Sequence, residues 1–524
     1  MRRRETTPAR RGSPRRAPIA LALLLLGLLV GAPAAPAAGE APEQGQAPGP
    51  VAVTINRYAA GRPVPARFLG LSFEVAALAE LAKDGSQGNL VGLLRSVGPG
   101  MLRFGGVTAD QNVAWSDSAT PAPPWASSVI GPSDMKALGT LAKRSGWSVL
   151  LTVGMAHYDP EAAAREVASA HAALGPYLTA VEIGNEPDSY GRHGFREGPW
   201  GSQGYEEQVA TYREAIGRLT PGVRIAGPDV SGSGIFPDWG FTEALSQTPA
   251  LLTGHHYPLG CAKLPPPSIE QLLSPPIRGL EARSLTTYLT VARAQRIPFR
   301  MDETNSVSCG GVAGISNTFA SALWASAYIT QAMAAGTVGI NLQGNPNNCP
   351  GYTPICATDP AAASAGRLTA RPDWYALQLT HSLVGDRPLL SEIASPPPPA
   401  APYNLVVAAF AAPKQVTKIV LVDDEPPGSA PLALQVAVGP GLTRGTILRL
   451  TGPSPQATGG VELGGHVVSS DGSLRSPTHS ERALVQQGEL NVSLAPSSAA
   501  LVTLEPPAPR KHRHPRKPSA SPRR

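Results

Sequence analysis

Short runs rich in apolar and β-branched residues recur along the chain, at 68–73, 101–104, 148–153, 180–183, 224–226, 252–255, 299–301 and 338–342. Between many of them the apolar positions return at the spacing of an amphipathic helix, over 133–144, 160–174, 204–219, 284–296 and an alanine-rich stretch at 316–335. The second of these helices carries start signals, with Asp159 as cap and Pro160 at the first helical position. Eight strand-like runs alternating with helices over about 330 residues predict a (β/α)8 TIM barrel, an α/β fold, spanning 61–387. From about 388 the texture changes. After the proline tract 396–399 come alternating segments at 403–410, 417–422, 432–438 and 445–450, separated by Gly, Pro and Ser turns with no helix between them. That pattern predicts an all-β sandwich domain over 388–506. An early alternating segment, within 39–60, fits that sandwich better than the barrel.

The ends of the chain have a different character. Seven arginines precede Pro18, an apolar run from Ile19 to Val30 follows, and Ala35-Pro36-Ala37 offers a cleavage site. Residues 1–38 therefore form a predicted secretory signal whose apolar core is short for a membrane span. No cysteine sits near the cleavage site, which disfavours a lipid anchor. The C-terminal residues 507–524 are a basic tail, predicted to be disordered and solvated, or to hold the protein weakly near an anionic surface. The net charge of +6 comes from these ends. Setting aside seven arginines and Glu5 at the start and seven basic residues in the tail leaves 30 basic against 37 acidic groups between Gly39 and Pro506. An acidic body gives no support to nucleic-acid binding.

The chain has four cysteines, Cys261, Cys309, Cys349 and Cys356. In an oxidising compartment an even number suggests two disulfides, with three pairings open. The favoured one joins Cys349 to Cys356 around a Pro/Asn/Gly loop and Cys261 to Cys309 between two other loops. Their spacing matches no zinc site. His255 and His256 are adjacent, so on a strand they face opposite sides, which argues against a shared metal. No Gly-x-Ser-x-Gly elbow, phosphate loop or dinucleotide fingerprint occurs in a fitting strand–turn–helix context, and no cofactor is expected.

Barrel enzymes hold their reactive groups at the carboxyl ends of the strands. The fourth predicted strand ends in Val181-Glu182-Ile183-Gly184-Asn185-Glu186-Pro187, and the seventh in Phe299-Arg300-Met301-Asp302-Glu303-Thr304-Asn305. Each therefore brings a glutamate to the rim. Two carboxyl groups on opposite faces of a sugar are what glycosidic cleavage needs. A gap of about 5–5.5 Å gives retention of configuration and a wider one gives inversion. Asp302, next to Glu303, is expected to point away on a regular strand and to be structural.

With these motifs the sequence resembles the large clan of retaining barrel glycosidases, and more narrowly glycoside hydrolase family 79, the β-glucuronidases and heparanase-like enzymes. The matching segments are Phe68-Leu69-Gly70-Leu71-Ser72-Phe73-Glu74, Leu102-Arg103-Phe104-Gly105-Gly106 and Gly184-Asn185-Glu186-Pro187-Asp188. Further on they are His255-His256-Tyr257, Glu303-Thr304-Asn305-Ser306 with Gly310-Gly311, and Asn341-Leu342-Gln343-Gly344. The likeness runs from about Val51 to Leu504.

The resemblance implies a secreted hydrolase acting on an oligosaccharide or glycoside, with Glu186 as acid/base and Glu303 as nucleophile. Asn185 would then bind the sugar 2-hydroxyl, Tyr257 would orient Glu303, and Arg103 would pair with it. Glu74, Asn305 and Gln343 are further candidates for substrate contact. Gly310, Gly311 and Tyr352 would receive a uronate carboxylate. Ser308, where some members place a tyrosine, departs from the family at this point. The other readings are a β-xylosidase, β-glucosidase or arabinofuranosidase of the same clan, and a non-catalytic carbohydrate-binding protein of the cell wall.

Overall fold

The computed structural model describes residues 50–394, 403–474 and 479–507. The predicted signal (1–38), the proline tract 396–399 and the basic tail from 508 onward lie outside the described residues. Eight parallel strands close into a barrel: β1 (Leu69–Glu74), β2 (Met101–Gly105), β3 (Ser148–Val153), β4 (Leu178–Ile183), β5 (Ile225–Val230), β6 (Leu251–His256), β7 (Phe299–Thr304) and β8 (Gly339–Gly344). The ring closes through β8 against β1, with Ile340 opposite Leu69. All eight strands are buried almost throughout, as expected where helices cover the outer face.

Local chemistry explains the helix boundaries. Asp159 Oδ1 accepts from the Ala162 amide at 3.0 Å at the start of Pro160–Leu174. Helix Pro132–Ser145 ends at Gly146 in the left-handed conformation. The helix after β6 begins at Pro275, nine residues ahead of the predicted start, because Pro275 and Pro276 take its opening positions, where a missing N–H costs nothing. Helix Phe319–Ala335 is buried on almost every side. It lies between the barrel and the β-domain, and the amides of Phe319 and Ala320 donate to the carbonyls of Ala457 and Pro455. Its alanines let both neighbours approach closely, which accounts for the composition of that stretch.

The C-terminal domain is a ten-stranded, largely antiparallel sheet that curls until Arg444–Thr451 pairs with Ser498–Glu505. Its interior holds a separate core that includes Ile419, Leu421, Val436, Leu494 and Val502. The early alternating segment is a strand of this sheet. Val51–Ala60 pairs antiparallel with Arg387–Ile393 and parallel with Leu432–Ala437, and buries Val51, Val53 and Ile55 on one face. The chain thus starts in the β-domain, winds the barrel, and returns.

Two disulfides join Cys261 to Cys309 and Cys349 to Cys356. Among the described residues no helix is long and apolar enough to cross a membrane.

Candidate active site

The carboxyl ends of the strands converge on one guanidinium. Arg103, in β2 and fully buried, donates from Nη1 to Glu303 Oε2 at 2.7 Å and to Ser72 Oγ at 3.1 Å. Its Nη2 donates to Asp229 Oδ2 at 2.7 Å and to Asn185 Oδ1 at 2.8 Å. Its Nε donates to Glu182 Oε2 at 3.0 Å and lies 3.0 Å from Asp302 Oδ2. Burial alone would favour deprotonation, but Asp229, Glu182, Asp302 and Glu303 hold the guanidinium firmly protonated. Acids from three strands, β4, β5 and β7, thereby depend on one charge carried by a fourth.

Asp302 corrects the expectation drawn from regular alternation. The register of β7 against β6 slips between Met301 and Glu303. A slip of this kind lets successive residues face the same side, and Asp302 and Glu303 both reach Arg103. Asp302 Oδ1 also accepts from the Gly254 amide at 2.8 Å. Burial, reinforced by Asp229 and Glu182, pushes the Asp302 carboxyl well above the ordinary range.

Glu186 stands at the rim with its backbone in the left-handed region, φ 45°, and its amide donates to the Asp229 carbonyl at 2.9 Å. Its side chain is 22% exposed, against 9% for Glu303. One is open to solvent and the other enclosed. A carboxylate oxygen of Glu186, one of Glu303 and a ring nitrogen of His255 all lie within 4.8 Å of one another. Asp229, His255 and Asp302 form a second group of this kind, deeper in the barrel.

His255 links the two levels. Nδ1 is 3.0 Å from Glu186 Oε1 and Nε2 is 2.8 Å from Asp229 Oδ1. Burial would push its pKa down, but Glu303 and Asp229 outweigh that and raise it well above the usual histidine value. Each ring nitrogen thus lies within hydrogen-bond reach of a carboxyl group, Nδ1 at Glu186 and Nε2 at Asp229. Arg103 and His255 together hold Asp229 below the usual carboxylate range despite its burial. His256 faces the other way, with Nδ1 3.2 Å from Ser284 Oγ on the outer helix.

Tyr257 donates to Glu303 Oε1 at 2.8 Å, so both oxygens of Glu303 are engaged. Its ring stacks with Tyr352 at 5.8 Å, and the two hydroxyls lie 3.4 Å apart. Tyr352 donates its amide to the Gly310 carbonyl at 3.1 Å. Gly310 and Gly311 both have positive φ, and a Cβ on Gly311 would fall 2.4 Å from the Tyr352 nitrogen, so glycine is required there. The Cys261–Cys309 bond pins the start of this turn and Cys349–Cys356 closes the loop that carries Tyr352. Ser308 Oγ accepts from the Cys261 amide at 3.2 Å.

Asn185 gives its oxygen to Arg103 and its amide N–H to Asp110 Oδ2, leaving its side-chain NH2 without a partner among the described residues. Glu74, at the end of β1, accepts from the Thr108 amide and hydroxyl at 2.9 and 2.7 Å. Burial and the charge of Glu303 raise its pKa. Gln343 is buried at the end of β8, its oxygen without a partner among the described residues. Asn305 is occupied elsewhere: its NH2 donates to the Gln343 carbonyl at 2.8 Å and reaches Asp373, and its oxygen accepts from Ser306. The structure therefore gathers Glu186, Glu303, Arg103, Asn185 and Tyr257 into one contact network, with Tyr352 at its edge. Asn305 braces the wall.

Glu182, Asp229 and His255 complete the network, and reading along the sequence did not single them out as site residues. Asp229 and His255 had a usable signal. Both lie at carboxyl ends of barrel strands, where polar residues read as functional.

Solved structures share this architecture. A 4-O-α-L-rhamnosyl-β-D-glucuronidase from Fusarium oxysporum aligns at TM-score 0.67 and 19% identity, covering 86% of this chain and 100% of that one. A GH51 arabinofuranosidase from Xanthomonas axonopodis pv. citri aligns at 0.62 and 14% identity, over 87% and 100%. A GH30 endoxylanase from Clostridium papyrosolvens aligns at 0.51 and 14%, over 86% and 99%. At these identities the likeness is one of fold. No protein-family model and no curated protein matches the sequence.

Proposed function

We propose that this chain is a secreted retaining β-glycoside hydrolase that works by double displacement and takes a β-glucuronide. The supporting observation is the placement of Glu186 and Glu303 at the ends of β4 and β7 with oxygens within 4.8 Å. That spacing is on the side of the retaining gap, about 5–5.5 Å, and too small to seat a water as inversion requires.

In this reading Glu303, fixed by Arg103 and Tyr257, attacks the anomeric carbon through one oxygen. Glu186 gives its proton to the departing glycosidic oxygen, and a glycosyl ester forms on Glu303. Glu186, now a carboxylate, takes a proton from water as that water attacks the same carbon, and Glu303 leaves as a free carboxylate. The different exposures suit these roles, since the acid/base exchanges protons with solvent and the nucleophile does not. The free NH2 of Asn185 faces a sugar 2-hydroxyl, a contact that strengthens as the oxocarbenium develops.

Membership of glycoside hydrolase family 79 belongs to the same proposal, as does the preference for glucuronate. Its support is the turn of Gly310 and Gly311 beside Tyr352: the Gly310 N–H and the Tyr352 hydroxyl are left to receive a carboxylate, the Gly311 N–H being bonded to the Ser308 carbonyl and the Tyr257 hydroxyl to Glu303. The wall at Ser308 is the observation that favours a second reading, a same-clan enzyme for a neutral sugar, because its hydroxyl is turned to the Cys261 amide.

Residues 39–506, assayed on aryl β-glucuronide, β-glucoside, β-xyloside and α-arabinofuranoside, separate these readings. Turnover of the glucuronide, abolished in Glu303→Ala, supports the proposal. Turnover of a neutral glycoside alone keeps the mechanism and discards the uronate site. No turnover of any glycoside, with retained binding of polysaccharide, rejects the enzyme in favour of a binding protein.

A further inference from the structure

A cavity of about 360 Å3 opens beside the site without involving Glu186, Glu303 or Tyr257. It lies between the loop after β2, the segment 154–159 after β3, and the first two turns of Pro160–Leu174. Its size is within the range of small-molecule sites, roughly 300–1,000 Å3.

Glu166, on that helix, lines the cavity while only 6% exposed. No hydrogen-bond donor or cation of the described chain meets its carboxyl, and burial alone pushes its pKa up to about 8. A leucine would fill the same wall without burying a carboxyl. What enters the cavity gives the carboxyl a purpose.

The lining is acidic. Asp110 and Asp159 also line the space, and among the described residues no lysine or arginine does. Burial pushes His157 below the usual histidine value, and its ring stacks on Trp125 at 3.8 Å. An anion is therefore disfavoured. Two donors of the wall are already engaged, Trp115 Nε1 by Asp117 and Thr152 Oγ1 by Glu182, which leaves a neutral polyol fewer of them. Aromatic faces beside a lone carboxyl instead suit a cation.

We propose that this cavity binds a small organic ammonium, a primary amine on a flat or apolar body, with Glu166 as counter-ion and Trp115, Trp125 and Tyr158 as walls. The site is independent of the catalytic reading above. Calorimetric titration of the full-length protein near pH 7 tests it with phenethylamine, phenethyl alcohol and phenylacetate. The amine binds at least ~10-fold more tightly than the alcohol, a gap of about 1.4 kcal/mol, and phenylacetate does not bind. Its heat varies with the buffer, because Glu166 releases a proton when the ammonium pairs with it. Glu166→Gln removes the preference for the amine, Trp125→Ala weakens amine and alcohol alike, and Glu303→Gln leaves amine binding intact. Equal binding of amine and alcohol, no binding of the amine at millimolar concentration, amine preference that survives Glu166→Gln, or its loss in Glu303→Gln each overturns the proposal. Where Glu166→Gln does not fold, the buffer dependence in wild type and the loss in Trp125→Ala decide it.

Discussion

Arg103 Nη1 sits 2.7 Å from Glu303 Oε2, with the guanidinium fully buried and the carboxylate nearly so. The same side chain touches Glu182, Asp229 and Asp302, so it balances a nest of acids as well as orienting one. Removing one partner of a buried ion pair costs about 3–5 kcal/mol, since the remaining charge is left uncompensated. Arg103→Met is therefore expected to lose about that much stability in urea unfolding. Arg103→Lys keeps a charge but cannot reproduce the fork, and should fall between wild type and Arg103→Met. A methionine variant as stable as wild type would show that the acids are neutral and that the guanidinium only positions Glu303.

Tyr257 offers a cleaner probe of positioning, because its hydroxyl donates to Glu303 Oε1 while its ring packs on Tyr352. Tyr257→Phe keeps the ring and removes the donor. Hydrogen bonds to charged groups contribute about 1.5–3 kcal/mol, which converts to roughly a 10- to 150-fold loss of kcat/KM on the aryl glycoside that wild type cleaves. The melting temperature should stay near that of wild type. An unchanged kcat/KM would remove Tyr257 from the machinery.

How much of this was readable before folding differs between the barrel and its centre. The predicted helix 160–174 coincides with Pro160–Leu174, and all eight predicted strand runs overlap observed barrel strands, because apolar periodicity and caps are local signals. The rim glutamates were legible for the same reason, since each ends a strand run. What joins them was not. Asp302 turns inward because β7 slips register against β6, a property of two strands 48 residues apart. Asp229 sits at φ 58° beside a similar slip in β5. The meeting of β1, β2, β4, β5 and β7 at Arg103 is set by barrel closure, which no window of sequence contains. The pairing of Val51–Ala60 with strands more than 300 residues away was suggested by alternation alone, and its register was invisible.

The two disulfides close chain segments of very different length, with sequence separations of 48 and 7. In the loop-entropy account these stabilise by about 4 and about 2 kcal/mol respectively. Cys261→Ser with Cys309→Ser should thus lower the melting temperature more than Cys349→Ser with Cys356→Ser. The shorter loop carries Tyr352, so its opening should act mainly on KM for the substrate. Differential scanning calorimetry and Michaelis–Menten measurements on the two double variants give both answers. An equal loss of stability, with KM unchanged in the second, would contradict this division.

Buried acids should make the fold less stable as pH rises from weak acid to mild alkali. Burial raises the carboxyls of Glu166 and Glu281 from 4.5 to about 8. Between those two values the folded chain keeps protons that the unfolded chain has released, so stability falls across that window as pH increases. Asp229 has the opposite sign, because its depressed pKa contributes stability above the unfolded value of 3.8 that is lost only in stronger acid. The melting temperature is therefore expected to be higher near pH 5 than near pH 8. Glu281→Gln isolates one contributor: the amide oxygen can still accept from Trp324 Nε1, a bond of 2.6 Å in this structure, but no longer titrates. Its melting temperature should decline less steeply over the same range. A profile that rises toward pH 8, or one left unaltered by Glu281→Gln, would mean that these carboxyls are ionised in the folded protein and paired by solvent within it.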